Sequence, residues 1–137
     1  MPNRIEKLSL TGFRGASNLV DIPFDAQKPI TMIFGENGTG KSSIIDAIDF
    51  VCNKQYGSIA ERSGTKPREH IVALKSEAKD LRVLFQHGGS SWTGTLDKGT
   101  PSVAGTGTPP RARILRRGQI QKVINAPPGE RYKELQD

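Results

Sequence analysis

The sequence has one cysteine, Cys52, so no disulfide can form within it, and a reducing, cytoplasmic setting is the expectation. Cys52 falls late in a helical pattern and reads as a buried structural thiol. No run of about 18 apolar residues exists, which excludes a membrane-spanning helix. Met1-Pro2-Asn3-Arg4-Ile5-Glu6 has one basic residue and no apolar stretch behind it, unlike a secretory signal. Internal repeats are absent. Also missing, after residue 51, is a run of four apolar residues followed by paired acids. The nearest apolar runs, 71–74 and 83–85, lead into Lys75-Ser76 and Gln86-His87. With 137 residues, the chain has enough material for one domain with a modest core.

What is present is a complete phosphate-loop pattern. Residues 35–42 read Gly-Glu-Asn-Gly-Thr-Gly-Lys-Ser. The apolar run at 30–34 reads as a short buried strand, with Pro29 just ahead of it. Residues 43–51 repeat apolar side chains at helical spacing, through Ile44, Ile45, Ile48 and Val51. Strand, glycine loop and helix in that order are the context in which backbone N–H groups and a helix N-terminus gather round a phosphate. The cradle is Gly35, Glu36, Asn37, Gly38, Thr39, Gly40, Lys41, Ser42 and Ser43. Lys41 is the expected partner of the β- and γ-phosphates of ATP, and the Ser42 hydroxyl the expected ligand of Mg²⁺. Asp46 and Asp49 read as solvated carboxylates near the positive end of the helix.

Further strands are expected near 4–12, 18–24, 81–86 and 91–96, the last two as a hairpin. Residues 98–110, rich in Gly, Thr and Pro, read as a flexible surface loop. Residues 112–117 read as a strand, 120–124 as a short helical turn, and 127–131 as a helix start.

Charge is uneven. Residues 1–50 hold five Lys/Arg and six Asp/Glu, and residues 51–137 hold fifteen and eight. The excess gathers at Arg111, Arg113, Arg116, Arg117 and Lys122. A basic half beside a near-neutral nucleotide half suggests contact with a polyanion. Arg111 and Arg113, flanking the expected loop, are the candidates for DNA backbone contact.

Three segments carry a family resemblance. Leu8-Ser9-Leu10-Thr11-Gly12-Phe13-Arg14-Gly15, the phosphate-loop segment from Ile33 to Ile48, and Ile114-Leu115-Arg116-Arg117-Gly118-Gln119-Ile120 with Pro128-Gly129-Glu130-Arg131 resemble the N-terminal ATPase head of the SMC/RecF/SbcC group. The resemblance implies an α/β fold, the N-terminal lobe of an ABC-type P-loop NTPase head with an antiparallel β subdomain. It implies that 1–137 end where a coiled coil starts, and that the lobe is incomplete without a C-terminal half. It adds Arg14 as a nucleotide contact and Gln119 as a catalytic Q-loop residue near Mg²⁺. The family has Gln directly before the Gly, where this sequence has Arg117, so Gln119 or Arg117 fills that position.

The implied activity is ATP hydrolysis by the assembled protein, with this piece alone nearly inactive. Its partners would be ATP, the C-terminal half of the same head, a second head in a dimer, and DNA, with no membrane. Nucleotide would then work a DNA clamp in repair or chromosome maintenance. Alternatives are an ABC-type head regulating a nuclease in phage defence, and a compact P-loop kinase.

Overall fold

The computed structural model describes residues 4–60, 64, 66–127 and 129–130. Among them, five strands form one antiparallel sheet: β1 (Ile5–Thr11), β2 (Val20–Pro23), β3 (Arg82–His87), β4 (Ser90–Asp97) and β5 (Thr100–Gly105), in the order β2-β1-β3-β4-β5. The helices are α1 (Lys41–Asn53), α2 (Pro67–His70) and α3 (Arg117–Asn125).

Side-chain alternation sets the register. Leu8 faces Phe85 and Phe85 faces Trp92, while Leu10 faces Val83 and Val83 faces Gly94. These pairs put two adjacent rows of side chains on one face of the sheet. Leu8, Leu10, Val83, Phe85 and Trp92 are buried there, together with Ala47, Phe50 and Val51 of α1. Gly94 is where helix and sheet touch. A Cβ at that position would lie 2.9 Å from the Phe50 ring and 3.0 Å from Val51, so a larger residue would push α1 off the sheet. The core thus fixes α1, and α1 carries the loop before it.

Four of the expected strands and the helix after the loop are present at close to their expected positions. Three readings need correction. First, 98–110 is not simply a loop, because 100–105 form β5 against β4. Its proline, Pro101, sits opposite Leu96 on an edge strand, where a missing N–H is tolerated. Second, 112–117 form no strand. The stretch alternates exposed and half-buried residues as a strand does, but side chains tie it to the fold: Asn53 bonds both backbone groups of Ala112, and Arg116 pairs with α1.

Third, 30–34 are not a buried strand. No described strand pairs with them, and Ile30, Met32 and Phe34 are 76%, 82% and 91% exposed. The sheet ends at β2 and β5, and the run pairs with neither edge. The expected helix start at 127–131 falls partly on Pro128 and Arg131, outside the described residues.

Candidate nucleotide site

The site begins with backbone conformation. Gly38 and Gly40 have φ of 85° and 90°, in the left-handed region that side chains other than glycine rarely enter. Gly40 is the N-cap of α1, and as a glycine it provides no side-chain cap for that helix. Its carbonyl accepts the N–H of Ser43 at 2.9 Å and of Ile44 at 3.3 Å. Thr39 fastens the turn: its Oγ1 donates to the Glu36 carbonyl at 2.8 Å. The Lys41 ammonium folds back over the loop and donates to the carbonyls of Gly35, at 2.8 Å, and Glu36. Residues 35–39 and Ser42 are exposed, and Lys41 and Ser43 partly so. The loop is therefore a solvent-facing ring of backbone ahead of an uncapped 13-residue helix, with one cation stationed across it. Such a terminus favours negative charge.

The Phe13-Arg14 turn enters from the other side. Phe13 is fully buried and meets Phe50 edge-on, with ring centroids 5.6 Å apart. Arg14 has φ of 51°, uncommon for a residue with a Cβ, and its N–H donates to the Ile71 carbonyl at 2.7 Å. The apolar patch at 71–74, otherwise without periodicity, is thus the seat of this turn: Ile71 and Ala73 are buried, and Val72 bridges to Phe13. Arg14, Ser43, Glu69, His70, Val72 and Leu74 line an open cleft of about 410 Å³. The structure therefore brings Arg14 and the end of the phosphate loop to one cleft. Glu69 and His70, on α2, also line it, and no pattern in the sequence pointed to them.

Behind the cleft lies a charge cluster that corrects the reading of Asp46 and Asp49. They are not solvated: Asp46 is 0% and Asp49 8% exposed. Asp46 pairs with the guanidinium of Arg14. Arg116 donates to Asp46 at 2.7 Å and to Asp49 at 2.8 Å. Ser58 donates to Asp46 through its N–H and its hydroxyl, each at 2.8 Å. Two acids at i and i+3 on one helix lie on neighbouring faces, and one guanidinium fork spans them. Arg116 is thereby removed from the surface basic group. It is also the N-cap of α3, so the pairing seats the start of that helix against α1.

Gln119 lies in the first turn of α3, exposed, and its Oε1 accepts the Arg116 N–H at 2.9 Å. Arg117, the first residue of α3, is exposed as well. Arg111 and Arg113 are exposed on either side of Ala112. Among the described residues, no group of three or more His, Cys, Asp or Glu side chains is arranged to hold a metal ion. No described helix is long and apolar enough to cross a membrane.

Residues 7–127 match the family model described as AAA domain. The chromosome partition protein Smc of Halothermothrix orenii is 38% identical over 77 residues, covering 56% of this chain and 6% of that protein. The DNA replication and repair protein RecF of Chloroherpeton thalassium is 41% identical over 49 residues, 36% of this chain and 12% of that protein. The DNA repair protein RAD50 of Dictyostelium discoideum is 27% identical over 84 residues, 61% of this chain and 6% of that protein. The chain thus spans a small part of the length of each relative. It belongs to the AAA domain family and is an N-terminal ATPase head segment of the SMC/RecF/SbcC group.

Proposed function

We propose that residues 35–43 bind the phosphates of ATP, and that this chain is the ATP-binding part of a DNA-linked ATPase head. One observation carries the reading: the Lys41 ammonium lies across a glycine ring at an uncapped helix N-terminus, beside a cleft shared with Arg14. A polyphosphate entering the ring would replace the carbonyl partners of Lys41 with charged oxygens, a stronger bond. Ser43 and Arg14 then lead to the cleft, which has room for the nucleoside.

Mg²⁺ fits the donor set. It takes few protein ligands and fills its shell with phosphate oxygens and water, and the exposed Ser42 hydroxyl beside Lys41 supplies the one ligand such a site needs. When bound, the ion would neutralise charge on the β- and γ-phosphates. Ser42 would hold it and Lys41 would orient the phosphates. Gln119, or Arg117 by contact with phosphate, would report their state to α3.

The exposed apolar run at 30–34 favours a further segment packing on it, and the C-terminal half of the same head is the proposed occupant. In the whole protein, two such heads would close around nucleotide and separate after hydrolysis, working a clamp on DNA. Calorimetric titration with Mg-ATP tests the first step. The chain should bind, and Lys41→Ala should lose at least about tenfold in affinity, since a phosphate charge loses its partner. Equal affinity in the variant would overturn the assignment.

A further inference from the structure

Among the described residues, Asp46 is the fully buried carboxylate that both Arg14 and Arg116 share, and nothing in the phosphate-loop chemistry uses it. We propose that Asp46 is a positioning residue that couples the Arg14 edge of the cleft to the first turn of α3, so that an anion drawing on Arg14 is felt at Gln119. The anion is the nucleotide phosphate of the preceding section, and to that extent the inference rests on that reading.

A carboxylate has about four acceptor positions. At Asp46, Oδ1 accepts the Ser58 N–H and Arg116 Nη1, and Oδ2 accepts the Ser58 hydroxyl and pairs with Arg14 Nη1. The acceptor capacity is full, so what Arg14 does changes what is left for Arg116. Arg116 also reaches Asp49 at 2.8 Å, and Asp49 accepts Asn53 Nδ2 at 2.8 Å. The four charged groups, Arg14, Arg116, Asp46 and Asp49, sum to zero.

Suppose Arg14 turns toward a phosphate. Two carboxylates then face one guanidinium, and their hold on Arg116 strengthens. Arg116 is the N-cap of α3, and its N–H bonds Gln119, so the first turn of α3 tightens with it. The sign is the distinctive part. If Arg14 were merely a brace, its removal would loosen its surroundings. Here its removal steadies α3.

Amide hydrogen exchange over residues 117–125 of the 137-residue chain tests this. Without ligand, Arg14→Ala should slow exchange in α3 by roughly three- to tenfold, the scale of one net hydrogen bond, since the bonds to Arg116 are strengthened and none is added. Asp46→Asn should speed it, and adding Arg14→Ala to Asp46→Asn should then change nothing. If Asp46→Asn fails to fold, Arg116→Lys serves instead. An ammonium cannot span two carboxylates as the guanidinium fork does, so Arg14→Ala in that background should leave α3 unaltered.

With saturating Mg-ATP, exchange in wild-type α3 should slow as it does in Arg14→Ala. Faster or unchanged exchange in Arg14→Ala, or the same slowing in both backgrounds, would overturn the coupling. So would bound ATP that leaves α3 unmoved. If titration shows that wild type takes up no ATP, the nucleotide reading fails on that count, and the ligand-free comparison still decides the coupling.

Discussion

Asn53 holds Ala112 by both of its backbone groups: Nδ2 donates to the Ala112 carbonyl at 2.8 Å, and Oδ1 accepts the Ala112 N–H at 3.2 Å. The amide thus acts as a one-residue strand partner, 59 positions away in sequence, at the last residue of α1. It fixes the segment that carries Arg111, Arg113 and Arg116 to the helix that carries Lys41.

Asn53→Ala should therefore destabilise the chain by about 1–3 kcal/mol, the range for stranding partly buried polar groups. Asn53→Asp keeps one acceptor, loses the donor and faces the Ala112 carbonyl with a charge, so it should be no better. Urea unfolding of the three proteins checks this. A midpoint for Asn53→Ala equal to wild type would mean that water replaces the amide at no cost.

The Cys52 thiol gives a pH-dependent outcome. Burial, with the Asp49 carboxylate adding to it, pushes the thiol from an ordinary 9.0 up to about 11. At pH 8 its thiolate fraction should be about a hundredfold below that of an unperturbed thiol. Alkylation by iodoacetamide should be slow in the native chain, with a midpoint near 11, and fast in denaturant. The linkage has a definite sign. A raised folded value means that the contribution to stability is complete below 9.0 and is lost as pH rises toward about 11. A native alkylation midpoint near 9 would show the thiol to be solvated.

Turnover by this chain alone should be close to background. Among the described residues the buried carboxylates are Asp46 and Asp49, and arginines occupy both. Neither is free to orient a water against a γ-phosphate, a task that needs a positioned acceptor. Phosphate release should be indistinguishable between wild type and Lys41→Ala. Brisk release that disappears in Lys41→Ala would reveal an acid or amide performing that task within these residues.

How much of this was legible depends on where the information sits. The phosphate loop is local: Gly40, Lys41 and Ser42 announce their conformation through residue type, and the helix after them through the spacing of Ile44, Ile48 and Val51. β1, β3 and β4 were equally readable, because one face of each is core and the other is not. β5 was hidden by composition, since Pro101 and Gly105 are tolerated only at a sheet edge, and edge position is a tertiary fact.

Asp46 and Asp49 misled for a related reason. A carboxylate on a helix reads as solvated until its cations are in place, and here they come from 32 residues before Asp46, at Arg14, and 70 after it, at Arg116. The run at 30–34 failed the other way. Its side chains ask for burial that no described strand provides.

The same pairing narrows the basic surface that DNA could use. Arg116, one of five cations counted in the basic group, is committed to Asp46 and Asp49. Arg111 and Arg113 remain exposed, flanking an Ala112 whose backbone is pinned. Two guanidiniums on a fixed backbone suit phosphate contact, which is independent of sequence. In the assembled protein, replacing both with alanine should weaken binding to all duplexes alike and lower the slope of log affinity against log salt by roughly 2, about one per phosphate contact. ATP affinity should stay unchanged, because neither side chain lines the cleft. Fluorescence anisotropy with duplexes of unrelated sequence, across a range of salt, measures both quantities. An unchanged salt slope would mark these arginines as a solvated edge, and loss confined to one sequence would mean base contacts instead.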